Sequence, residues 1–185
     1  MYSTKINRLI RLVVLLTITA LALQPISVAR ADNTNGPDLP PQCVSLQIQP
    51  GNQLSFHVYA RGVQMYRWNG AIWEFVAPVA SLFAEENYFG EVGSHYRGPT
   101  WESKSGSLVV GRRVPGTGCS PDPNSIAWLL LEKVHTSGSG IFNSVTYIQR
   151  VNTTGGMAPT SSGSIDGEVS EVPYTAEYYF YRAQN

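Results

Sequence analysis

His57, His95 and His135 are the only histidines in this 185-residue chain, so acid–base or metal chemistry has few places to reside. None belongs to an HxH or HExxH arrangement that would bring two imidazoles onto one face by local geometry, and no metal site is expected. His95 has the most suggestive surroundings. It opens the run His95-Tyr96-Arg97-Gly98-Pro99-Thr100-Trp101-Glu102, in which a histidine and a carboxylate on a Gly-Pro loop beside an indole can serve as a general acid/base pair. The competing reading is structural: Gly98-Pro99 shapes a turn, Trp101 packs, and His95 donates a hydrogen bond that holds it. Glu74 with Glu102 or Glu91 offers paired carboxylates for glycoside hydrolysis if adjacent strands bring them together. No serine lies in a G-x-S-x-G elbow. Gly116-Thr117-Gly118 does not complete a dinucleotide fingerprint and no Walker loop is present, so no cofactor is expected.

Aromatic residues give the other chemical signal, with four Trp and ten Tyr in the chain. Tyr66, Trp68, Trp73 and Trp101 stand beside Arg, Asn and Glu, a combination that stacks on sugar rings or anchors protein interfaces. The expectation from these residues is a non-catalytic module that binds a glycan or an envelope protein through exposed aromatics, with a His95/Glu102 hydrolase or a structural protein-interaction domain as alternatives. Filling the core of a small β domain is the plainer use of the same rings. Asn152-Thr153-Thr154-Gly155-Gly156 reads as a strand running out into a loop, with an anion-binding nest of backbone N–H groups as the sharper alternative.

The compartment follows from the first 31 residues. Lys5, Arg8 and Arg11 precede the apolar run Leu12 to Leu23, and small residues end in Ala29-Arg30-Ala31, the three zones of a cleavable secretory signal. The apolar run is shorter than the roughly 20 residues a spanning helix needs. The mature protein is therefore expected to be soluble, monomeric, and extracellular or in the periplasm or envelope. Cleavage removes four of the 13 basic residues and leaves 9 against 13 acidic ones, a net charge near −4 that argues against nucleic acid and anionic membranes. In an oxidising compartment the two cysteines, Cys43 and Cys119, are expected to form one structural disulfide. Closing a loop of that length stabilises a fold by roughly 4 kcal/mol in the chain-entropy model.

The elements that must position these residues are strands. Residues 32–42 have turn-forming composition and read as a flexible leader, with a single β domain over 43–185. Leu54, Phe56 and Val58 alternate with polar neighbours, and Val63 to Trp68 and Ile72 to Ala77 flank Asn69-Gly70, a hairpin signal in which both turn residues tolerate positive φ. Glu91 to Tyr96, Ser107 to Val114, Val145 to Asn152 and Val172 to Arg182 follow as strands. Ile126 to Thr136 reads as a strand buried on both faces rather than a helix. In the last strand Tyr174, Ala176, Tyr178 and Phe180 share one face, and Thr153 to Gly167 forms a long loop. About eight or nine short strands in one domain imply an all-β antiparallel sandwich or barrel.

Four segments resemble a family of secreted bacterial and fungal proteins catalogued only as a domain of unknown function: Gly62-Val63-Gln64-Met65-Tyr66-Arg67-Trp68-Asn69-Gly70, His95 to Glu102, Arg150-Val151-Asn152-Thr153 with Gly155-Gly156, and Tyr174 to Tyr181. The resemblance runs from about Leu54 to Arg182 and departs at Ala127, where the family pattern has proline before the tryptophan. It implies secretion and a single domain and carries no catalytic residues with it.

Overall fold

A computed structural model describes residues 36–184; the expected signal peptide and the first part of the expected leader lie outside the described residues. Eight strands follow in chain order: β1 Asn52–Trp68, β2 Trp73–Phe83, β3 Glu91–Tyr96, β4 Thr100–Ser103, β5 Leu108–Arg113, β6 Leu129–Ser137, β7 Val145–Gly155 and β8 Val169–Ala183. Each pairs antiparallel with its sequence neighbours, and β1 pairs with β8, closing an up-and-down barrel. The sandwich alternative is thereby removed. Eight strands enclose an interior that side chains can fill or that can hold one small ligand.

Period-two alternation decides what faces inward. From β1 come Phe56, Val58, Ala60 and Gln64, and from β8 Tyr174, Ala176, Tyr178 and Phe180, matching the face-sharing read from the sequence. The strand expected over Ile126 to Thr136 starts later, as β6, and Lys133, Val134 and His135 are exposed on it. It is buried on both faces only at its start, with Leu131 inside and Leu130 in a second apolar cluster. There Leu130 meets Cys43 and Leu46 of a 3-10 turn, Pro41–Leu46, with Leu39, Ile48, Trp128 and Tyr147 at its margin. The Cys43–Cys119 disulfide fastens this turn, with Cα atoms 5.2 Å apart. Gln149 Nε2 donates to Leu46 O at 2.6 Å, and Tyr181 OH donates to Gln149 Oε1 at 2.5 Å, so the polar groups under the turn are satisfied.

The expected hairpin at Asn69-Gly70 forms, with a longer loop. Trp68 pairs with Trp73, leaving four residues, 69–72, in the turn, and only Gly70 takes positive φ (87°). Asn69 Oδ1 accepts from the backbone N–H of Ala71 and Ile72 and so replaces the two-residue geometry by an Asx-type turn. β4 is a strand that composition had hidden inside a turn, because four residues after a Gly-Pro pair carry little periodic signal.

In an up-and-down barrel alternate connections share an end. The β1–β2, β3–β4, β5–β6 and β7–β8 connections lie at one end, and the others at the opposite end. At the latter, Phe142 from the β6–β7 connection packs against the stacked rings of Phe56 and Phe180, with ring centroids at 5.4 and 5.1 Å, and seals the interior.

Candidate functional site

The first end is not sealed. A cavity of about 200 Å³ enters the barrel there, lined from every strand except β5 and from the turn between β3 and β4. Its apolar wall comes from Phe75, Pro78, Pro99, Leu129 and Leu131. Its polar groups are Gln64, His95, Arg97, Trp101, Arg150 and Tyr178, and no carboxylate lines it.

The register explains how Trp101 and His95 come to line it. They face each other across β3 and β4, their rings stacked at 4.4 Å, and Tyr178 meets both edge-on at 5.1 and 5.3 Å. The indole needs room that β5 supplies through Gly111, where a Cβ would stand 3.1 Å from Trp101 Cζ3. His95 Nδ1 donates to Thr100 O at 2.8 Å, which leaves Nε2 as the acceptor of a neutral ring. Burial pushes its pKa down to about 3, against a smaller opposing effect of the Thr100 bond, and the Arg150 charge adds to the lowering. The structural reading of this loop is therefore the one the fold adopts.

The same register separates the two residues of the expected acid/base pair. His95 pairs with Trp101 on the inner face, whereas Glu102 pairs with Ser94 on the outer face and accepts a hydrogen bond from Tyr96 OH at 2.7 Å. The imidazole therefore faces inward and the carboxylate outward. Nor do the other carboxylates meet: Glu74 accepts from Asn69 Nδ2 in the first hairpin, and Glu91 pairs with Lys104 at 3.4 Å.

The four aromatics expected to stand exposed take other roles. Tyr66, Trp68 and Trp101 are buried, the last only 1% exposed. Tyr66 OH donates to Gly156 O at 2.7 Å and Trp73 Nε1 to Ser161 O at 2.8 Å, while Trp68 packs so closely on Gly163 that a Cβ there would lie 2.5 Å from Cγ. These three residues hold the long β7–β8 loop beside the cavity mouth. Trp101 alone of the four lines the cavity.

Among the described residues, the buried side-chain atoms without a hydrogen-bond partner concentrate here. Gln64 Nε2 and Trp101 Nε1 are in this state, and the hydroxyls of Tyr174 and Tyr178 make no hydrogen bond of ordinary length although they interact with each other and Tyr178 with Arg150; all four residues are no more than 2% exposed. Burial raises the pKa of both phenols, so both stay protonated. Arg150 is half-buried, and its charge reaches Tyr66, His95, Tyr174 and Tyr178. Its Nε and Nη2 donate to Ala127 O at 3.1 and 2.7 Å, yet it has no ion-pair partner among the described residues. Sequence reasoning passed over Gln64 and Arg150. The available signal was phase: Gln64 falls in step with Phe56 and Val58, and Arg150 with Ile148, so both break the apolar pattern of an inward face.

The outer face carries a separate polar group. His57 Nε2 approaches Glu177 Oε2 at 3.1 Å and stacks on Tyr179 at 4.2 Å, and Asn152 Nδ2 donates to Glu177 Oε1. Asn152 sits at a β-bulge with φ 49°, and the N–H groups of Gly155 and Gly156 are taken by Ser125 Oγ and Pro173 O, so no anion nest forms there. His135 is exposed on β6, and no cluster of His, Cys, Asp or Glu suited to a metal occurs among the described residues.

No curated protein and no solved structure matches the chain. A family model does match, over residues 49–182, a span that contains every cavity-lining residue and nearly the whole of the strands. The chain thus belongs to the family described as Protein of unknown function (DUF3455).

Proposed function

We propose that this domain is a non-catalytic binding protein that takes one small molecule into the open end of its barrel. The observation that carries the reading is the coincidence of a 200 Å³ cavity with the buried donors Gln64 Nε2 and Trp101 Nε1, which have no hydrogen-bond partner among the described residues. Native interiors hold few such atoms, because each costs about 1–3 kcal/mol, and a site that waits for a ligand is one reason to retain them. An engineered apolar cavity of about 150 Å³ accepts benzene, so this one suits a ligand of roughly ten heavy atoms. Binding through an exposed aromatic platform, as for an insoluble glycan or an envelope protein, has less support, since Tyr66, Trp68 and Trp101 are buried. Hydrolysis by His95 and Glu102 also has less support, since the imidazole faces inward and the carboxylate outward. Export of the domain is part of the same reading, and the paired cysteines support it because such bonds persist in oxidising compartments.

The test is a fluorine NMR screen of fluorinated fragments of about six to twelve heavy atoms against the purified protein and its Leu129→Trp variant, which fills the cavity. Fragments that bind the parent and not the folded variant support the reading. A panel with no fragment that distinguishes the two contradicts it.

A further inference from the structure

The polar groups at the open end define the charge of what fits there, an inference that rests on the small-ligand reading above. Trp101 Nε1 is a donor only, and so is the Arg150 guanidinium. Gln64 Nε2 is a third donor, and Tyr178 stays a phenol with a proton to give. Against these the lining holds no carboxylate that could repel an anion or neutralise Arg150. A half-buried cation without a counter-ion is costly, and a ligand that supplies the opposite charge recovers that cost.

We propose that the ligand is a small apolar monocarboxylate, held with its carboxylate among Arg150, Trp101, Gln64 and Tyr178 and its hydrocarbon part against Leu129, Leu131 and Pro78. Of the two arginines that line the cavity Arg97 is exposed and only Arg150 is half-buried, and two of the nitrogens of Arg150 are engaged by Ala127 O, which suits one negative charge better than a phosphate dianion. Two carboxylate oxygens offer about four lone-pair positions, enough to satisfy the unpartnered donors together. The walls are apolar and the volume small, so the remainder of the molecule is of phenyl or short-chain size.

The experiment compares isosteres by titration calorimetry: benzoate with benzamide, and cinnamate with cinnamamide, on the purified protein. The carboxylates are expected to bind at least tenfold more tightly than the amides. Arg150→Met is expected to shrink that preference below threefold while amide binding persists, and Trp101→Phe, which keeps the packing and removes one donor, is expected to weaken carboxylate binding about tenfold. Arg112→Ala, on the outer face, leaves all four affinities unchanged. Equal affinity for acid and amide overturns the anion assignment and leaves the small-ligand reading standing. Failure of all four compounds to bind also overturns it, and the fluorinated-fragment screen then decides separately whether the cavity takes any ligand.

Discussion

At the sealed end of the barrel Phe56 stacks on Phe180 at 4.6 Å with Phe142 wedged against both, and the buried Ser107 shares hydrogen bonds with Ser103. At the open end the rings of Trp101, His95 and Tyr178 pack as closely, yet Trp101 Nε1 and Gln64 Nε2 go without partners among the described residues. The difference is in polar satisfaction as well as in the cavity at the open end. One end is built as a core should be, and the other tolerates an energetic cost of a kind that proteins accept at functional sites.

Substitutions can separate the two ends. The largest loss is expected from Phe180→Ala, which removes the ring touching Phe56, Phe142 and Trp101; urea unfolding should show a loss near the top of the ~3–5 kcal/mol range for such truncations. If the sealed end were as tolerant as the open one, the loss would be below about 1 kcal/mol. Removing the disulfide by Cys43→Ser with Cys119→Ser should cost about 4 kcal/mol by freeing the unfolded chain. Because the 3-10 turn it ties down lies away from the cavity, affinity per folded molecule should not change.

Acidification is expected to act on the open end first. His95 has its pKa lowered from 6.5 to about 3, so the unfolded state binds a proton before the native one does. Stability is then complete above pH 6.5 and falls as pH drops toward 3, by at most roughly a kcal/mol per unit. Glu177, on the outer face, adds a loss with the same sign at lower pH. Burial opposes its ionisation, but hydrogen bonds from His57, Asn152 and Tyr179 outweigh this and hold its pKa below the ordinary value. In His95→Gln the decline between pH 6.5 and 5 should vanish while the more acidic one remains; an unchanged profile would mean that His95 is not the titrating group. The smallest effect belongs to the exposed Arg112–Glu132 pair at 2.7 Å, where Arg112→Ala should change stability by less than about 0.5 kcal/mol.

How much of this was legible depended on the range of the interaction. Alternation along Tyr174 to Phe180 and Leu54 to Val58 revealed the inward faces, because period two is a local property. Barrel closure depended on β1 pairing with β8 across more than a hundred residues, and the exchange of Glu102 for Trp101 on the inner face depended on register, which neighbouring residue types do not encode. Tyr66, Trp68 and Trp73 suggested a binding platform because aromatics beside polar residues suit both surfaces and loop anchoring. Only the contacts with Gly156, Ser161 and Gly163 distinguish the two. Gln64 and Arg150 were visible as polar interruptions of apolar faces, but their significance required knowing that, among the described residues, Gln64 Nε2 has no hydrogen-bond partner and Arg150 no ion-pair partner.

The most direct test of the contrast between the ends is the unfolding free energy of the double variant Gln64→Leu with Tyr178→Phe, which removes two buried polar groups that make no hydrogen bond of ordinary length and keeps their volume. The account predicts stability equal to that of the parent or higher by about 1 kcal/mol, as when a buried unsatisfied group is replaced by an apolar one. A loss of about 1–3 kcal/mol per site would show that these groups are satisfied in the folded protein, and that the open end is core rather than a site.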